Sequence, residues 1–93
     1  METNFEIIEK EHIQTLKFPS NEVLNSEDEI RQRFIDLNRA LYLGNLEHSK
    51  IKIFFEDNQS KKVVETTVWA VTDHRVILKQ GFTIPIHRIY MSA

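Results

Sequence analysis

Apolar and polar positions along the chain follow two periods, and the change falls at Gly44. Upstream, Ser26-Glu27-Asp28-Glu29 has the form of a capping box. A Ser26 hydroxyl can accept from the third helical N–H, and Glu29 can reach back to the Ser26 N–H. Three acids in the first turn suit the positive end of a helix dipole. Ile30, Phe34, Leu37 and Leu41 then recur at helical spacing, one apolar stripe. Glu27–Arg31 and Glu29–Arg33 stand as i,i+4 pairs in the favoured direction. Gly44 suits the left-handed position just past a helix end. The pattern predicts a helix over about 27–43.

Downstream the period becomes two. Ile51, Ile53 and Phe55 alternate with Lys50, Lys52, Phe54 and Glu56, a half-buried strand. After the turn signal Asp57-Asn58-Gln59-Ser60 comes a β-rich run, Lys61 to Thr72. A third strand is expected over Val76–Lys79, a tight turn at Gln80-Gly81 and a fourth strand through Phe82, Ile84 and Ile86. Ile86-His87-Arg88-Ile89 breaks the alternation, which predicts one turn of chain before a last short pairing. His12–Phe18, rich in β-formers and stopped by Pro19, reads as a further short strand. The expectation is a single α+β domain: one helix in the N-terminal half, then a strongly bent four- to five-stranded antiparallel meander, small-barrel-like.

The helix 27–43, the strand Lys50–Asp57, and Val76-Ile77-Leu78-Lys79 with Ile84-Pro85-Ile86-His87-Arg88-Ile89 together resemble the small barrels of the SH3/Sm-like superfold. The likeness covers about residues 27–91. It implies that the long second run bends between two halves of a sheet, although no glycine lies between Asn45 and Gln80. Trp69–Leu78 followed by Gly81 and Ile84–Ile89 is also similar to the middle of a bacterial pleckstrin-homology-like domain.

Composition narrows the chemistry. Ninety-three residues support one domain. No cysteine excludes a disulfide scaffold, a thiolate metal site and a thiol nucleophile. Neither a G-x-S-x-G elbow nor a glycine-rich phosphate loop occurs, and two glycines would hardly build one. Thus no cofactor is implied. No apolar run approaches a membrane span, and the acidic N-terminus lacks the form of a signal peptide, so the expectation is a cytoplasmic protein with no membrane partner. The net charge of −2 hides an asymmetry. Residues 1–29 hold two bases against eight acids, a balance of −6, and residues 30–93 hold ten against six, a balance of +4. Residues 1–11 read as an acidic segment that frays.

Three readings of function follow. The first is a non-enzymatic binding or interaction module, a homo-oligomer or protein-binding partner. It draws on the two-faced apolar run, in which Val63, Val68 and Trp69 are the candidate self-association residues. The second is a single-stranded nucleic-acid binder, with bases stacked on Phe54 between Lys50 and Lys52 and positive charge from Arg31, Arg39, Arg75 and Arg88. The third is a small enzyme in which Glu65, a carboxylate inside an apolar run, acts with a neighbouring histidine. His12, His48, His74 and His87 have no metal-ligand spacing among themselves, and no metal is assigned.

Overall fold

The computed structural model describes residues 4–93. In chain order the elements are β1 (Glu6–Ile7), a 3-10 segment (Lys10–Thr15), α1 (Glu27–Glu47), β2 (Ile51–Glu56), β3 (Lys61–Thr66), β4 (Val68–Val71), β5 (Arg75–Leu78), β6 (Thr83–Pro85) and β7 (Ile89–Ser92). Further 3-10 turns at Lys79–Gly81 and Ile86–Arg88 flank β6. The fold class is α+β.

α1 starts where the capping box places it. The Ser26 hydroxyl accepts from the Glu29 N–H at 3.1 Å. Its end and its phase differ from expectation. The helix runs through Gly44 to Glu47, and His48 takes the left-handed position (φ 56°), its N–H donating to the Gly44 carbonyl at 3.0 Å. Gly44 serves a different purpose. A Cβ there would stand 2.4 Å from the Val68 carbonyl oxygen, so only glycine lets α1 approach β4 this closely. The buried stripe is accordingly Arg33, Leu37, Ala40 and Gly44. Ile30 and Phe34, expected inside, turn outward. The charge pairing shifts as well: Arg31 binds Asp28 at 2.9 Å, and Arg33 points inward.

The long run 61–72 divides at Thr67 and feeds two sheets, ordered β1-β3-β2-β7 and β4-β5-β6. Thr67 is the hinge in place of a glycine. Its carbonyl accepts from the Lys79 N–H at 2.9 Å, and its hydroxyl reaches the His48 carbonyl at 3.4 Å. An irregular register between Val68 and Ala70 adds to the bend. The expected single meander is replaced by two antiparallel sets: β2 pairs with β3 and, across the sequence, with β7, while only β4, β5 and β6 follow one another as a meander; β1 joins β3 in parallel. Among the described residues no ladder closes the two sheets into a barrel.

Residues 12–18 are no strand. Lys10–Thr15 forms 3-10 turns, and Ile13, Leu16 and Phe18 pack into the core from that side. The acidic 1–11 segment includes β1, paired to Lys62–Val63, and residues 1–3 lie outside the described residues. The chain turns at Gln80-Gly81 with positive φ at Gly81, 91°, and also at Gln80, 68°. The core proper is Leu37, Ile53, Phe55, Val64, Val68, Val76, Leu78, Ile84 and Ile89. No helix is long and apolar enough to cross a membrane.

Candidate interaction surfaces

The outer face of the first sheet gathers part of the expected binding set. Lys52 stands opposite Glu65, Phe54 opposite Val63 and Glu56 opposite Lys61. The Phe5 ring meets Phe54 edge-on at 5.1 Å and Tyr90 at 5.9 Å. The Lys61 ammonium lies 5.3 Å from the Tyr90 ring centre. Phe5, Ile7, Phe54 and Val63, with Lys52 and Glu65, line a hollow of about 210 Å³. Each lysine faces a carboxylate across the strands, so this face is balanced in charge rather than basic. Glu65 is exposed, and no histidine lines the hollow. Burial, then the hydrogen bond from its hydroxyl to the Glu56 carboxylate, pushes the Tyr90 phenol up to about 12.

The other expected basic residues do not converge there. Lys50 is exposed just before β2, Arg31 and Arg39 project from α1, and Arg75 opens β5 in the second sheet. Arg88 is a correction. It is 5% exposed and acts as an internal staple, donating to the carbonyls of Glu56 at 3.0 Å, Asn21 at 2.8 Å and Asp57 at 3.4 Å. Its guanidinium satisfies carbonyls of the loop before α1 and of the end of β2 and its turn. The self-association set is corrected too. Val68 is fully buried under α1, and Val63 is nearly so. Trp69 alone of the three is displayed, at 50% exposure.

Two further charged clusters are internal, and the sequence signalled neither. Arg33 makes a two-pronged pair with Glu22 (2.6 and 2.7 Å) and donates to the Ile89 carbonyl at 2.9 Å, joining loop, helix and β7. Lys62 bonds Asp57 at 3.1 Å and the Ser60 hydroxyl at 2.7 Å, while Asp57 caps the 57–60 turn by accepting from the Gln59 and Ser60 N–H groups. Burial opposes ionisation of Glu22, but the hydrogen bonds from Arg33 and Leu24 outweigh it and hold the carboxyl below its ordinary range. Asp57 is held low likewise, by Ser60, Gln59 and Lys62 against burial.

Several large apolar side chains stand exposed on α1. Phe34 is 63% exposed, Tyr42 64% and Leu46 60%, with Ile35 and Ile30 beside them. No described residue covers them. A signal for this was present: Ala40 and Gly44, four apart and in phase with Leu37, mark the tightly packed face as the small one.

A broad cleft of about 990 Å³ lies at the other end of the molecule, between the 3-10 segment with its following arm and the β5–β6 hairpin. Its walls come from three separate stretches of chain, so no local motif announces it. Among the described residues no cluster of three metal-ligating side chains occurs. Compared with family models, curated proteins and solved structures, the chain matches none of them.

Proposed function

We propose that this protein is a non-enzymatic interaction module that pairs with a second copy of itself through the outer face of α1. One observation carries the reading: Phe34, Tyr42 and Leu46 stand exposed on a helix whose opposite face is already packed. Large apolar side chains grouped on one helix face mark a surface that a partner covers. A second copy fits by shape. In an antiparallel pairing, the acidic first turn Glu27–Glu29 lies toward a last turn without basic residues, so apolar contact at Phe34, Tyr42 and Leu46 holds the pair rather than charge. The two helix dipoles then oppose, and a twofold axis makes the contact self-complementary.

Light scattering on the intact chain tests this. The expected result is a mass twice that of the monomer, reduced to the monomer by Phe34→Glu with the circular dichroism unchanged. A single monomeric species at several hundred micromolar wild-type protein would overturn it.

A single-stranded nucleic-acid reading draws on Phe54 beside Lys52 and Lys50. Against it stand the carboxylates facing Lys52 and Lys61, and the engagement of the Phe54 ring by Phe5. It predicts an oligonucleotide gel shift that weakens steeply with salt and is lost in Phe54→Ala.

A further inference from the structure

We propose that the cleft between the 3-10 arm and the β5–β6 hairpin binds a small organic anion, an apolar body bearing one carboxylate or phosphate head. This inference does not rest on self-association, because none of the cleft's lining residues lies on α1.

The floor and the rim differ in chemistry. Ile13, Leu16 and Phe18 line one side, and Phe82 and Pro85 the other. Ile13 belongs to the core, Leu16, Phe18 and Phe82 pack half-buried against it, and Pro85 is buried; they form the apolar part of a lining that also holds Gln14, Ser20, Gln80 and Thr83. The rim carries His74, Arg75 and His87. No aspartate or glutamate lines the cleft, in a chain with fourteen of them. Asp73, the nearest acid in sequence, precedes His74 on the exposed turn and is not part of the lining.

Arg75 is the fixed charge. Its backbone is held by the 72–75 turn, where its N–H donates to the Thr72 hydroxyl at 3.0 Å and its carbonyl accepts from the Thr72 N–H at 2.8 Å. Its guanidinium, like that of Arg39 on α1, has no hydrogen bond or ion pair to any described residue, whereas those of Arg31, Arg33 and Arg88 are engaged. A free guanidinium fork beside an apolar floor is the arrangement that reads a planar carboxylate or a phosphate oxygen pair. The walls are set in advance. His87 Nε2 lies 3.0 Å from the Pro19 carbonyl, which can only accept, so Nε2 carries the hydrogen. That bond and the one from the Val23 N–H to the His87 carbonyl, at 3.0 Å, hold the arm against the β6–β7 turn. The cleft exposes polar and apolar surface in comparable amounts, which suits a ligand with one apolar part and one charged head.

Amide and aromatic NMR titration of the intact chain tests the assignment with four probes: 3-phenylpropionate, phenyl phosphate, neutral 3-phenylpropan-1-ol and inorganic phosphate. Saturable shifts are expected at His74, Gly81, Phe82 and Thr83 with the two organic anions, at affinities about tenfold or more above the alcohol and above inorganic phosphate. The tighter of the two anions identifies the head group. Arg75→Gln, an exposed substitution, should abolish that preference and leave the remaining spectrum in place. Equal binding of the alcohol, equal binding of inorganic phosphate, shifts centred elsewhere, or no saturation by 3-phenylpropionate and phenyl phosphate at about 10 mM would each overturn the proposal.

Discussion

The two faces of α1 carry side chains that a simple amphipathic reading would exchange. The inner face is small and partly charged: Arg33, Leu37, Ala40, Gly44. The outer side carries large apolar side chains, Phe34, Ile35, Tyr42 and Leu46, set among polar ones such as Arg31, Asn38 and Arg39. The difference follows from distance. At the Gly44 crossing the helix lies so close to β4 that no Cβ fits, and bulky side chains have no room on that side. Arg33 remains inside because Glu22 and the Ile89 carbonyl satisfy it. The larger apolar residues stand outward, where no described residue covers them. Inner-face residues therefore set the stability of the monomer, and under the proposed pairing outer-face residues set its association.

The comparison can be broken from the inside first. Arg33→Met leaves Glu22 part-buried without its partner and should cost about 3 kcal/mol in denaturant unfolding. The double variant Arg33→Met/Glu22→Leu should recover much of that loss, since the stranded charge, rather than the missing attraction, accounts for most of it. Gly44→Ala comes next. Alanine gains about 1 kcal/mol of helix propensity, but the clash with the Val68 carbonyl should outweigh it and leave a net loss of about 2 kcal/mol by urea titration. Acid has a smaller, graded effect. Glu22 and Asp57 have folded pKa values below their unfolded ones, so the unfolded chain takes up protons first as pH falls. Their contribution is complete above the unfolded carboxyl values and is lost as pH drops through the lower folded values, which a series of unfolding curves from neutral to strongly acid pH will trace. The smallest effect on the monomer belongs to the outer face: Phe34→Glu should change the unfolding free energy of the monomer by no more than about 0.5 kcal/mol.

Local chemistry made much of the fold legible. The capping box at Ser26, the alternation through Ile51–Phe55 and the turn at Gln80-Gly81 are written in adjacent residues, and each is where the pattern puts it. What the pattern could not supply was set by contacts distant in sequence. The stripe Ile30–Phe34–Leu37–Leu41 and the buried stripe Arg33–Leu37–Ala40–Gly44 share a period and differ in phase, and the crossing over Val68 chooses between them. Arg88 reads as surface charge until the carbonyls of Asn21, Glu56 and Asp57 are folded around it. The His12–Phe18 stretch reads as a strand because its β-forming residue types mask the three-residue spacing of Ile13 and Leu16 that the 3-10 turns use. The cleft was invisible because its walls meet only in the folded chain.

The central claim is that α1 faces α1 of a second copy. Isotope-filtered NOE spectroscopy on a mixture of carbon-13-labelled and unlabelled chains reads that contact directly. The account predicts cross-chain NOEs between aromatic protons of Phe34 or Tyr42 and methyl groups of Ile30, Ile35 or Leu46. Cross-chain NOEs confined to Trp69 or to the sheet face around Ile7 and Phe54, or none at concentrations where the mass is dimeric, would contradict it.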